Sequence, residues 1–281
     1  MYVDPDSDRL FQNDLHRPDR ELVTIGVDAH CHLQFKNYDE DRDIVIRRAK
    51  EAGVGFIVCV GTTVADSKAA VALAEQYPGF MRASVGVHPT ELSDAPQFDA
   101  VRELARKDSV AAIGECGLDY FSAEGRALKA EQRDLFLAHM ALARDVGKPL
   151  MIHCRPSPRS MDAYEDLYGI LEKEKNRPPF VMHFFAGSAA LAERFVALGA
   201  YFTFGGAVTL THDYDEAVRR VPPERLMTET DAPFVSPVSI RGRRNEPANV
   251  VDIARQIAHL KGMAPEELAE HVWKNSTILR R

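Results

Sequence analysis

The sequence has no surplus of basic charge. Its 281 residues carry 35 Lys and Arg against 42 Asp and Glu, a net charge of −7. A protein that grips long duplex DNA presents a broad basic face, so a nucleic-acid substrate would have to be met locally, at a chain end, with metal ions supplying positive charge. Cysteine is scarce as well. Cys31, Cys59, Cys116 and Cys154 form no C-x-x-C pair and lie in or beside apolar runs, which argues against a disulfide framework and fits a reducing cytosol. No window approaches the length of a membrane span, and the opening stretch YVDPDSDRLFQNDL lacks the basic start and apolar core of a signal peptide; a soluble, cytoplasmic protein is expected. There is no low-complexity tract, no internal repeat and no Pro/Ser/Gly-rich linker, so a second domain is not expected. No G-x-G-x-x-G follows the first apolar run, which removes the usual mark of a dinucleotide-binding open sheet.

What is there is an alternation. Residues 1–21 are polar and aperiodic, an extension either disordered or packed on the domain that follows. From residue 22 to 281, short apolar runs alternate with helix-patterned text. The runs are Leu22–Asp28, Phe56–Val60, Met81–Val87, Val110–Gly114, Pro149–Ile152, Phe180–Met182, Tyr201–Phe204 and Leu226–Thr228. Helices are predicted at about Asp39–Ala52, Val64–Gln76, Phe98–Arg106, Ala127–Val146, Ala163–Glu174, Ala189–Leu198, Tyr214–Arg219, Ala248–Leu260 and Pro265–Trp273. Near-continuous apolar runs suit strands buried on both faces. Eight of them in even alternation with helices predict an α/β protein, a single (β/α)8 TIM barrel over residues 22–281.

Polar residues end these runs. Asp28-Ala29-His30-Cys31-His32 closes the first; its two histidines are two apart, so strand alternation turns both imidazoles to one face and Cys31 to the other. Two imidazoles on one face can hold a divalent ion. Glu115 ends the fourth run, His153 the fifth, His183 the sixth and Asp231 the eighth. Barrel active sites form at the C-terminal strand ends, so six candidate metal ligands converge on one rim. The mixture of imidazole and carboxylate predicts two divalent metal ions about 3.5–4 Å apart, with Mg, Mn or Zn all compatible.

Further segments carry a family resemblance. Together with Asp28–His32, the runs Gly86-Val87-His88-Pro89, Ile113-Gly114-Glu115-Cys116-Gly117-Leu118-Asp119-Tyr120, Ile152-His153-Cys154-Arg155, His183–Ser188, Glu229-Thr230-Asp231-Ala232-Pro233 and Arg244-Asn245-Glu246-Pro247 resemble the TatD family of metal-dependent deoxyribonucleases, in order, from about Thr24 to the C-terminus. The resemblance implies the same six ligands: His30, His32, Glu115, His153, His183 and Asp231. It also implies Mg-supported DNase activity. The chain departs from the family pattern at Phe184-Phe185-Ala186, where Cys-Phe-Ser or Cys-Phe-Thr is usual, in the longer loop after Arg155 with Pro156 and Pro158, and in its N-terminal extension.

Around the ligands, Arg155 is a candidate phosphate contact. His88 is expected at the same rim, either to polarise substrate or to hydrogen-bond a ligand. Arg244, with Arg241 and Arg243, forms a basic patch in the loop where barrels often bind phosphate, or else a solvated charge run. Glu229 is expected to orient a ligand or a water; Asp28 either does the same or fills a polar layer. Asp119 and Tyr120 are open between substrate contact and capping, and His139, His259 and His271 read as surface or packing histidines. The expected reaction is hydrolysis of phosphodiester bonds of DNA, with Asp231 and Glu115 as the catalytic carboxylates and Asp231 accepting a proton from the attacking water. Three other readings stand beside it. One is a D-aminoacyl-tRNA deacylase, whose nucleic-acid partner would be tRNA. Another is an amidohydrolase-type ester or amide hydrolase, weakened because Glu115 stands where a carbamylated lysine would be. The last is a non-catalytic binding barrel. A monomer is expected, with oligomers left open.

Overall fold

A computed structural model describes residues 26–281. The polar extension expected over residues 1–21, and the start of the first run at Leu22, lie outside the described residues. Eight strands, β1 (Gly26–Cys31), β2 (Val54–Val60), β3 (Met81–Val85), β4 (Val110–Asp119), β5 (Leu150–Arg155), β6 (Phe180–Met182), β7 (Tyr201–Phe204) and β8 (Leu226–Thr228), form one parallel sheet in that order. Their residues are almost all buried, because helices cover the outside and side chains fill the inside. The protein is a TIM barrel, as the alternation predicted.

Local chemistry places the helices. Thr63 and Ser188 cap helices Val64–Gln76 and Ala189–Ala197 by accepting backbone N–H bonds from Asp66 and Leu191. Gly147, at φ +66°, ends helix Lys129–Val146 in the left-handed conformation that a side chain would strain. The long helix expected over Ala127–Val146 runs Lys129–Val146, and a short helix, Ala123–Ala127, precedes it. Among the described residues, no helix is long and apolar enough to cross a membrane.

Two features set the geometry of the rim. The first is the closing seam. After β8 the chain continues alongside β1: Thr228 Oγ1 donates to the Val27 carbonyl at 2.6 Å, Asp231 N to the His30 carbonyl at 2.9 Å, and His32 N to the Ala232 carbonyl at 2.7 Å. Asp28 tightens this seam, its carboxylate accepting from Thr230 N at 2.9 Å and Thr230 Oγ1 at 2.6 Å. Burial pushes Asp28 up to about 8 despite these bonds. The other feature is a bulge in β4. Ile113 and Cys116 are three apart, whereas their partners Leu150 and Ile152 on β5 are two apart, so Gly114-Glu115 carries an extra residue. Gly114 and Gly117 flank it at φ +145° and +141°, and a Cβ on either would lie 2.2 Å and 2.0 Å from the carbonyls of Met151 and His153. The strand therefore runs on to Asp119 rather than stopping at Gly114, and Glu115 is aimed into the barrel mouth.

Candidate metal centre

All six expected ligands meet at the C-terminal mouth. His30 Nε2 lies 3.3 Å from His32 Nε2, 3.4 Å from Glu115 Oε2 and 3.8 Å from Asp231 Oδ1. His32 Nε2 is 3.4 Å from the same Asp231 oxygen. On the other side of Glu115, Oε1 lies 2.9 Å from His153 Nδ1, 3.4 Å from His183 Nε2 and 3.4 Å from His88 Nε2. The two oxygens of one carboxylate thus divide the donors into two groups, with Glu115 between them.

The partners behind the rings decide which nitrogen faces the centre. His32 Nδ1 is 2.7 Å from the Val60 carbonyl, so it carries the proton and Nε2 presents a lone pair. His183 Nδ1 donates to Glu229 Oε2 at 3.0 Å, and Thr203 Oγ1 donates to the same oxygen at 2.6 Å. His153 Nε2 donates to Asp119 Oδ2 at 3.0 Å, leaving Nδ1 inward. This is the arrangement by which metal-binding histidines are held in one tautomer and one orientation. His30 stacks on His183 at 3.6 Å between ring centroids, and its Nδ1 is buried with no protein partner.

The site calls for positive charge. Burial disfavours charge on Glu115, but His88, His30 and His183 hold its carboxyl well below the ordinary range. Burial likewise opposes a proton on His183, yet Glu229 and Glu115 outweigh it and raise the ring to about 10. Burial, with His183 beside it, lowers His30. Ring protons balance these carboxylates where no metal is bound, and a cation held by the inward nitrogens would take their place. The donor set therefore fits divalent metal ions, and imidazole with carboxylate suits Zn, Mn or Fe as well as Mg.

His88 completes the wall of the site. The backbone N–H of Thr90 donates to His88 Nδ1 at 3.2 Å, so Nε2 carries the proton and donates toward Glu115. His88 thus stands against the shared carboxylate, in a group with Glu115 and His153 close enough to hold an ion. Behind it, buried His139 accepts from Val87 N at 3.0 Å, a packing histidine that fixes the His88 backbone. Arg155 lines the same cavity, about 610 Å³ in volume, with His88, Phe184, Phe234 and the ligands; its guanidinium stacks 3.8 Å from the centre of the Phe121 ring.

Two expected site residues lie elsewhere. Arg244 is drawn away from the cavity to Asp41 at 2.6 Å, the Asn37 carbonyl and the Tyr38 ring, because the acid and carbonyl that follow β1 offer it partners. Of the expected ligands Asp28 touches only His30, through its backbone N–H at 3.4 Å; its short bonds are to Thr230 in the barrel seam. Asp119, left open by the sequence, orients His153. It stands four residues after Glu115, and the alternation signal needs β4 to extend that far. The Val60 carbonyl, Thr203, and Phe35, which stacks on His32 at 4.6 Å, were not visible in the sequence pattern.

Comparison with known proteins gives the family. The family model described as TatD related DNase matches residues 27–279. This chain belongs to the TatD family. It is 39% identical to the metal-dependent hydrolase YabD of Bacillus subtilis over 259 residues, covering 90% of this chain and 98% of that one. It is 34% identical to the 3'-5' ssDNA/RNA exonuclease TatD of Pantoea vagans, covering 92% and 99%. Among solved structures, the TatD homolog YjjV of Escherichia coli K12 superposes with a TM-score of 0.82 at 28% identity, covering 92% and 98% of the two chains. The protein is a TatD-family metal-dependent hydrolase.

Proposed function

We propose that this chain hydrolyses phosphodiester bonds at the ends of DNA strands, with His30, His32, Glu115, His153, His183 and Asp231 holding two divalent ions. The observation that carries this reading is the division of the donors by the two oxygens of Glu115. When bound, such ions acidify water and offset the charge of a phosphate. Asp231 is the proton acceptor: burial opposes its ionisation, but the His32 hydrogen bond and the nearby His183 and His30 keep its carboxyl below the ordinary range, and it lines the cavity. Arg155, held flat by Phe121, meets non-bridging phosphate oxygens. His88 Nε2–H donates either to Glu115 or to a substrate oxygen beside it. The P. vagans relative's name, an exonuclease on single-stranded DNA and RNA, supports a nucleic-acid end as substrate. Four free, buried cysteines fit a cytoplasmic setting.

The test uses end-labelled single- and double-stranded DNA, with D-aminoacyl-tRNA in parallel. Metal-loaded protein is expected to shorten DNA, to lose that activity on chelation and to regain it on adding Mn or Mg. Glu115→Gln and Asp231→Asn should each lower the rate at least ~10³-fold with circular dichroism unchanged. Both variants keeping activity, or turnover of the tRNA ester alone, would overturn the reading.

A further inference from the structure

Apolar side chains are exposed unevenly on this protein. Of the seven large hydrophobic residues exposed among the described residues, five (Phe121, Met161, Leu210, Phe234 and Val235) lie on loops that follow the C-terminal ends of strands. That is the face holding the metal centre. Phe121 and Phe234, 47% and 50% exposed, are the phenylalanines in this group. Exposed apolar residues scattered singly need no explanation, but a concentration around a cleft does.

These two rings stand on clamped backbone. Buried Asn245 donates from its amide to the carbonyls of Thr230, Phe234 and Val235 at 2.9, 2.8 and 3.3 Å. Val235 is held at φ +42°, unusual for a β-branched residue. Phe121 is fixed from both ends: its N–H donates to Asp119 Oδ1 at 2.9 Å, and its carbonyl accepts from Arg126 at 2.8 Å. Asp119 is the carboxylate that orients His153, so the Phe121 platform and the metal centre share one support. Phe234 packs edge-on to His32 and Phe35 at 6.0 and 6.3 Å between centroids.

Charge follows the same loops. Arg48, Arg144, Arg194 and Arg244 are held by carboxylates. Arg155 at the end of β5, Arg159 after it, and Arg241 and Arg243 after β8 are exposed and have no carboxylate within ion-pair distance among the described residues. Rigid aromatic faces interspersed with free guanidinium groups match what a single strand offers, flat bases alternating with phosphates. A duplex keeps its bases stacked inside and presents no such face.

We propose that Phe234 and Phe121 are base-stacking platforms on either side of the metal cavity, gripping an unpaired strand whose phosphates meet Arg155 and the arginines after β5 and β8. This rests on the phosphodiesterase reading and adds to it the residues that select unpaired ends. The test measures KM and kcat of metal-loaded protein on oligothymidylate and on the same backbone carrying abasic residues. Wild-type protein should show a KM about tenfold higher for the abasic strand. Phe234→Leu and Phe121→Leu should each raise KM for oligothymidylate several-fold and narrow the gap between the two strands, while Phe234→Trp should retain it. Equal KM for both strands in wild-type protein, or an unchanged gap in both leucine variants, would overturn the platforms and leave the phosphodiesterase reading standing. Cleavage of neither strand by wild-type protein would overturn both.

Discussion

Replacing Glu229 by glutamine tests whether the metal centre depends on what stands behind it. Glu229 is fully buried, and one of its oxygens accepts from both His183 Nδ1 and Thr203 Oγ1. The charged acceptor polarises the imidazole and makes its inward Nε2 a better donor; an amide oxygen accepts the same bonds with about half the strength. Changes of this kind behind a ligand cost about 10–100-fold in metal affinity, which is about 1.4–2.7 kcal/mol. The new amide N–H₂ would occupy the place of Glu229 Oε1, a buried atom with no protein partner, adding an unsatisfied donor that costs roughly 1–3 kcal/mol of stability. Equilibrium dialysis against graded Zn or Mn, with metal counted by mass spectrometry, measures the first effect, and urea unfolding of the chelated protein measures the second. Thr203→Val should weaken metal binding less, since it leaves the carboxylate charge in place. Metal affinity in Glu229→Gln within twofold of wild type would refute the argument that this carboxylate tunes His183.

Three further perturbations separate support from chemistry. His139 is buried with both ring nitrogens engaged, and burial pushes it down to about 4. The unfolded chain takes up a proton near pH 6.5 and the folded protein does not, so stability is full above pH ~6.5 and falls as pH drops toward 4. The loss is roughly 3 kcal/mol, and the urea midpoint against pH should flatten in His139→Gln. Gly117→Ala should cost roughly 3 kcal/mol or more, because φ is +141° and the Cβ would lie 2.0 Å from the His153 carbonyl; an unchanged midpoint would show that β4 can relax. Arg244→Ala should leave kcat/KM within about twofold and cost no more than ~1 kcal/mol, since its pair with Asp41 is partly solvated; a large rise in KM would return Arg244 to the substrate site.

The sequence by itself determined the barrel and which polar side chains gather at its mouth. Parallel strands buried on both faces are written as contiguous apolar runs, so Phe180–Met182, Tyr201–Phe204 and Leu226–Thr228 were legible to the residue. Residues two apart on a strand share a face, which brought His30 and His32 together. Tertiary structure decided what no local pattern encodes. The β4 bulge interrupts the apolar run at Gly114-Glu115, hiding the extension to Asp119 that brings this acid to His153, 34 positions away. Asp28 and Arg244 looked like site residues by their neighbours in the chain, but their partners, Thr230 and Asp41, lie 202 and 203 positions away. Tautomers, ion pairs and exposed platforms depend on which groups meet after the barrel closes, and closure is a property of the whole sheet.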